Sequence, residues 1–129
     1  MENRKILALD VGLKRIGVAL SLQKNIVTPL EAIQRKNRDQ ASQAVKKLIK
    51  EWGIELLVVG LPIENGEMVR RIKHFVSLIE YDKDIVYQDE GYSSYEAEEL
   101  MVGVTKNRKD GKSDSIAAKL ILERYLDSN

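Results

Sequence analysis

The stretch LDVGLKRIGVA, residues 9–19, decides the fold, because it contains the end of one strand, a turn and the start of another. Aliphatic residues precede it, and a second apolar run resumes at Ile16. A glycine between two such runs indicates a β-hairpin with Gly12, Leu13 and Lys14 at or near the turn. The sequence therefore predicts that the chain begins with two antiparallel strands.

Asp10 lies near the end of the first strand, on a face that is otherwise apolar. In β alternation it shares this face with Ile6 and Ala8. A carboxylate among core residues must be paired, hydrogen-bonded or metal-bound, because a lone buried charge is too costly. Two interpretations stay open from this stretch alone. Asp10 is either a residue that caps the turn, or a ligand beside a glycine that lets a phosphate come close.

The rest of the chain alternates between strand and helix patterns, and the predicted order is β-β-β-α-β-α-β-α-α. Pro29 interrupts the third strand, which predicts an edge position because proline has no N–H to donate. The two later crossovers through helices require parallel strands. We therefore predict an α/β fold, with a five-stranded mixed sheet, helices on both faces, and the first, fourth and fifth strands parallel.

Composition narrows the classes of function. With 129 residues, 43% hydrophobic and 32% charged, the sequence predicts one globular domain spanning residues 1–129. There is no cysteine and His74 is the only histidine, so any metal site must use mainly oxygen ligands, which favours Mg²⁺ or Mn²⁺. No signal peptide or transmembrane run is present, so a cytoplasmic protein without a membrane partner is expected.

Two further acids complete a candidate site. Glu90 ends the fifth strand, and Asp114 begins the last helix, where Ala117 and Ala118 share its face. The carboxyl ends of parallel strands meet at one crevice, so Asp10 and Glu90 are expected to converge there with Asp114. Three such carboxylates repel one another unless a divalent cation is bound. Two metal ions sharing them could support phosphodiester hydrolysis without a nucleophilic side chain.

Basic residues are clustered although the net charge is only +1. Each cluster is either a solvated surface or a phosphate-binding patch, and the sequence alone leaves both interpretations open. The candidates for substrate contacts are Gly12, Lys14, Arg71 and Lys112. Residues 103–112 are predicted to form a mobile basic loop that could close over a nucleic acid backbone. The clusters are Arg35, Lys36 and Arg38; Arg70, Arg71 and Lys73; and Lys106, Arg108, Lys109 and Lys112.

Four motifs in order give this sequence a family resemblance. They are LDVGLKRIGVA at residues 9–19, VVGLP at 58–62, DEGYSSYEA at 89–97 and GKSDSIAAKLILERYL at 111–126. The chain resembles the YqgF family, described as Holliday junction resolvases related to RuvC, over nearly its whole length. The resemblance implies an RNase H-like fold, with Asp10, Glu90 and Asp114 as metal-binding catalytic carboxylates. It also implies processing of precursor ribosomal RNA of the small subunit, or cleavage of branched DNA.

The sequence departs from the family pattern at two positions. Gly91 stands where the family usually has an arginine beside the acid, and Leu13 stands where threonine or serine is common. The three acids are retained, so the departures bear on rate and substrate contact more than on metal binding.

The resulting prediction is a metal-dependent endonuclease that acts on structured nucleic acid, as a monomer or weak homodimer. The favoured substrate is precursor ribosomal RNA, and the alternative is a Holliday junction. One rival is an actin-like or sugar-kinase ATPase, which also uses an Asp-x-Gly hairpin but needs two such domains. The other is a non-catalytic nucleic-acid-binding factor of ribosome assembly, which the missing arginine at Gly91 favours.

Overall fold

The computed structural model describes residues 4–23, 26–89 and 112–128, without the side chains of residues 112–114. Its elements in chain order are β1 (Ile6–Val11), β2 (Arg15–Gln23), β3 (Ile26–Gln34), α1 (Arg38–Trp52), β4 (Leu56–Leu61), α2 (Gly66–Ile79), β5 (Asp84–Asp89) and α3 (Lys112–Asp127). The helix predicted near residues 93–101 and the basic segment 103–111 lie outside the described residues. The last helix begins at Lys112, slightly earlier than predicted.

The five strands form one mixed sheet in the order β3-β2-β1-β4-β5. β1 and β2 are antiparallel, whereas β1, β4 and β5 run parallel, as predicted. β3 is one of the two edge strands, which suits Pro29 because an edge strand needs fewer ladder donors. The fold class predicted from the sequence is confirmed, and all six residues of the interior strand β4 are buried.

Strand alternation divides the core into two layers. One face of β1 presents Leu7, Leu9 and Val11 to α1 and α2, and the large buried residue of that layer is Phe75. The opposite face presents Ile6 and Ala8 to α3. Helices therefore cover both faces. We call these the two-helix face and the one-helix face of the sheet.

Capping residues set the boundaries of α1 and α2. Asn37 caps α1 by accepting from the Gln40 N–H at 2.8 Å, and Gly53 ends the helix in the left-handed conformation with φ 61°. Asn65 caps α2 in the same way through the Met68 N–H at 3.1 Å. Trp52 packs against the core of the two-helix face, and His74 is exposed.

Candidate active site

The carboxyl ends of β1, β4 and β5 lie side by side. Leu9 pairs with Val59, and Val59 pairs with Tyr87, so these residues mark one level across the parallel strands. Asp10 follows Leu9 by one residue, at the end of β1. This is the edge of an α/β sheet at which ligands usually bind.

Asp10 projects toward the one-helix face, since it alternates in register with Ile6 and Ala8. It is half-buried, whereas the other residues of β1 are buried. Its cross-strand partner on β2 is Gly17, which contributes no side chain beside the carboxylate. The structure therefore confirms that Asp10 is an acid on a face otherwise made of core residues.

A buried hydrogen bond fixes the first turn of α3 over the same place. The Val18 N–H, one residue from Gly17, donates to Ser115 Oγ at 3.1 Å. Ser115 is fully buried, and so is Ala118, while Ala117 is 3% exposed. Small side chains let the helix lie close to the sheet. The backbone of Asp114, next to Ser115, is thereby held on the face and at the end of the sheet where Asp10 lies.

The β1–β2 turn has a tight backbone that requires glycine. The Gly12 N–H donates to the Arg15 carbonyl at 2.9 Å, and a Cβ on Gly12 would lie 2.6 Å from that oxygen. Gly12 does not have a positive φ, so the requirement is close approach rather than backbone conformation. Lys14 is exposed in this turn, as a phosphate-contacting residue would be.

Arg35 supports the turn from the segment between β3 and α1. Its Nη1 donates to the Gly12 carbonyl at 2.8 Å, and its guanidinium lies 5.1 Å from the centroid of the Phe75 ring. Its backbone N–H donates to the Lys14 carbonyl at 2.9 Å. Burial, and secondarily the charge of Arg38, lowers the pKa of Arg35, which remains a cation at neutral pH.

Arg71 lies elsewhere. It is exposed on α2, pairs with Glu67 at 2.9 Å, and belongs to the two-helix face, opposite to Asp10. The structure thus brings Gly12 and Lys14 to the end of β1 where Asp10 lies, but it does not place Arg71 on the same face. Glu90 and the side chains of Lys112 and Asp114 lie outside the described residues, so their predicted roles stay predictions.

Three residues that sequence reasoning missed hold this region together. Ser115 anchors α3, Gly17 stands opposite Asp10, and Arg35 braces the turn. Ser115 and Gly17 lie inside two of the quoted motifs, but neither has a side chain that indicates chemistry by itself. Arg35 belongs to a basic cluster, and nothing in the local sequence shows which arginine of that cluster turns inward.

Within residues 4–23, 26–89 and 115–128, no three Asp, Glu or His side chains lie together as a metal-binding group would. The predicted group depends on Glu90 and the Asp114 side chain, which are not among them. None of the described helices is long and apolar enough to cross a membrane.

Comparison with known proteins identifies the family. The model of the family RuvX, described as Holliday junction resolvase, matches residues 4–128. The chain belongs to this family. A Sulfurovum protein named "Putative pre-16S rRNA nuclease" is 58% identical over 125 residues, covering 95% of this chain and 98% of that protein. A Campylobacter lari protein of the same name is 52% identical over 124 residues, covering 94% of this chain and 96% of that one.

Solved structures of other proteins confirm the fold of this chain. RuvC of T. thermophilus in complex with a Holliday junction superposes with a TM-score of 0.62 at 12% identity, covering 97% of this chain and 96% of RuvC. The fowlpox virus Holliday junction resolvase gives 0.62 at 15% identity, covering 97% of this chain and 99% of the resolvase. At such identities the likeness concerns the fold alone, which is RNase H-like.

Proposed function

We propose that this protein is a metal-dependent endonuclease that hydrolyses phosphodiester bonds in structured nucleic acid. In this proposal, residues 1–129 act as a single nuclease domain, and Asp10, Glu90 and Asp114 are the metal ligands. The observation that supports it best is the placement of Asp10. It stands on the one-helix face at the end of β1, next to the first turn of α3, which contains Asp114 and is tied to β2 through Ser115.

The residues of this region fit a hard divalent cation. Asp10 is a half-buried carboxylate, Glu90 directly follows β5 in the sequence, Asp114 belongs to the first turn of α3, and the chain has no cysteine. Oxygen ligands of this kind suit Mg²⁺ or Mn²⁺. A divalent cation held there would stabilise the charge that develops on phosphoryl oxygens during hydrolysis.

The protein's own residues then have separate tasks. Asp10 is the rigid ligand, because it stands on a paired strand whose other residues are buried. Ser115 is a positioning residue, because its hydrogen bond to the Val18 N–H holds the helix that contains Asp114. Lys14, exposed on the turn, contacts a phosphate of the substrate, and Lys112 does so from the start of α3. Gly12, in the same turn as Lys14, contacts the substrate backbone in this proposal.

Precursor small-subunit ribosomal RNA is the substrate that we favour, because relatives more than 50% identical have names stating that activity. Branched DNA is the second candidate, because the matching family is described as Holliday junction resolvase. Both are structured polyanions, and one site could hydrolyse either. We propose that the protein acts as a monomer or weak homodimer.

Incubation with precursor ribosomal RNA and with four-way junction DNA, each with Mn²⁺ or chelator, tests the proposal. We expect cleavage of at least one substrate with Mn²⁺ and none with chelator, and cleavage should disappear in Asp10→Asn. Binding of both nucleic acids without cleavage under any condition would overturn it. That result would instead support a non-catalytic factor of ribosome assembly.

A further inference from the structure

A basic cleft lies on the two-helix face, on the opposite side of β1 from Asp10. Its volume is about 1000 Å³, and it opens between the β1–β2 turn, the segment before α1, and α2. Its described lining includes five cationic side chains and two acidic ones. The cations are Arg35, Lys36, Arg38, Arg70 and Arg71, and the acids are Asp39 and Glu67. The excess of positive charge makes an anion the natural ligand.

Three of these five cations have no ion-pair partner among the described residues. Arg71 is paired with Glu67, and Arg35 contacts the Gly12 carbonyl and the Phe75 ring. The exposed side chains of Lys36, Arg38 and Arg70, by contrast, form no ion pair with any described residue. They come from different elements but line one cleft. Their charge is therefore available for an external partner.

The fold strengthens the positive potential of the cleft. Both α1 and α2 begin at its edge, because Asn37 at the start of α1 and Glu67 in the first turn of α2 are lining residues. Helix N-termini have a positive end of the backbone dipole and attract phosphate groups. Arg35 and Arg38 are close enough for their charges to repel, and an anion bound between them would relieve that repulsion.

The shape and lining of the cleft favour a duplex backbone over other anions. The unpaired cations come from the segment before α1, from α1 and from α2, and this spread over separate elements suits successive phosphates. No Phe, Tyr or Trp is among the described lining residues, and Phe75 is fully buried beneath Arg35. Sites for single strands generally stack bases on exposed aromatic rings, whereas duplexes are bound through their phosphates.

We propose that this cleft binds the phosphate backbone of a duplex segment of the substrate, while the scissile segment lies on the one-helix face. The β1–β2 turn separates the two surfaces, since Val11 lines the cleft and the adjacent Asp10 points to the other side. Substrate bound across this turn would contact both faces. The inference rests on the proposed function and adds to it: the preferred substrate has a duplex arm beside the cleaved strand.

A matched pair of triple variants tests the cleft. The cleft variant replaces Lys36, Arg38 and Arg70 with Ala. The control variant replaces Lys47, Lys50 and Lys83, which are also exposed but lie outside the cleft, so both variants lose the same charge. Binding is measured by fluorescence anisotropy in chelator over a range of salt concentrations. The probes are four-way junction DNA, a precursor ribosomal RNA hairpin and a short single strand.

For the junction and the hairpin, we expect the cleft variant to bind at least about tenfold more weakly than wild type, with a salt slope lower by about 2–3. The control variant should bind within about threefold of wild type, and the single strand should not distinguish the two variants. Equal losses in the two variants, or an equal loss for the single strand, would overturn the proposal. If the triple variant does not fold by circular dichroism, Arg70→Ala alone should lower the salt slope by about 1.

The same experiment keeps the two proposals distinguishable. Binding in chelator requires no cleavage, so a wild-type protein that binds duplexes through the cleft but never cleaves them contradicts only the nuclease. Cleavage of both substrates that is accompanied by unchanged binding of the cleft variant contradicts only the cleft.

Discussion

At the carboxyl end of β1, the described residues on the two faces of the sheet differ in charge. At the carboxyl end of β1, Asp10 points to the one-helix face, whereas the adjacent Val11 lines a cleft with five cationic side chains on the two-helix face. Strand alternation places neighbouring residues on opposite sides of a sheet. The acid and these cations therefore lie on opposite sides of the sheet, although both lie near the same end of β1.

The faces also differ in how they are covered. Two helices pack on one face, around the fully buried Phe75, and α3 alone packs on the other. The one-helix face has small residues near the end where Asp10 lies, including Ala118 and the buried Ser115. Close packing by small side chains holds this helix terminus near the sheet.

The largest expected effect comes from removing the acid of the one-helix face. Asp10→Asn should lower cleavage by more than about 100-fold, since even changes next to metal ligands cost 10–100-fold. Without metal, the variant should be as stable as wild type or up to about 1–2 kcal/mol more stable, because repulsion among carboxylates is relieved. Nuclease assays and melting curves with chelator and Mn²⁺ measure both effects.

Asp89→Asn is the matched control for that prediction. Asp89 pairs with Leu61, a core residue of the two-helix face, so it points away from Asp10. We expect cleavage by this variant to stay within about threefold of wild type, as for a charge change outside the proposed metal site. A destabilised Asp10→Asn that keeps its full response to Mn²⁺ would contradict the assignment of Asp10 as a ligand.

The next largest expected effect is a loss of stability in the β1–β2 turn, which separates the two faces. In Gly12→Ala the new Cβ would lie 2.6 Å from the Arg15 carbonyl, so the backbone of the hairpin must move. We expect the free energy of unfolding to fall by about 3 kcal/mol, the upper end for overpacking. Gly66→Ala has no atom within 4 Å of the new Cβ and should stabilise by about 0.4–1 kcal/mol. Urea unfolding compares the two, and equal effects would show that the turn is not tight.

A smaller loss of stability is expected when the hydrogen bond that holds α3 on the sheet is removed. Ser115→Ala leaves the buried Val18 N–H without its acceptor, and should cost about 1–2 kcal/mol of unfolding free energy. Ser42, 2% exposed on α1, donates only to the Asp39 carbonyl of its own helix, so Ser42→Ala should cost less than about 0.5 kcal/mol. Metal affinity, read from thermal shift with Mn²⁺, should fall only for Ser115→Ala. An unchanged affinity would limit Ser115 to a structural role.

The smallest expected effect is a pH dependence of the unfolding free energy. It comes from Tyr81, at the other end of the two-helix face. Tyr81 donates to the Ile54 carbonyl at 3.1 Å, and burial, reinforced by the nearby charges of Asp82 and Asp84, raises its pKa to about 12. The folded state therefore favours the neutral phenol, which contributes stability below about pH 10, and this contribution is lost as pH rises toward about 12. Urea unfolding should show wild type more stable than Tyr81→Phe below pH 10, with the difference vanishing near pH 12. A constant difference would contradict the raised pKa.

Much of the architecture could be predicted from local pattern. The hairpin at residues 9–19, the edge position of the strand with Pro29, and the parallel strands β1, β4 and β5 all follow from alternation, glycine and proline chemistry, and crossover geometry. The same alternation correctly placed Asp10 on the face of Ile6 and Ala8. These features depend on the backbone of a few neighbouring residues, which the sequence encodes directly.

Only the tertiary structure decided which distant residues meet. The Ser115–Val18 hydrogen bond joins positions 97 residues apart, and Arg35 reaches the Gly12 carbonyl across 23 residues. It also assigned Arg71 to the face opposite Asp10 and gathered two basic clusters into one cleft. Such contacts depend on how helices pack on a sheet, and many side chains of the same charge or size have the same local pattern. The sequence by itself determined the strands, the topology and the face of Asp10, whereas packing selected the residues that anchor α3, brace the turn and line the cleft.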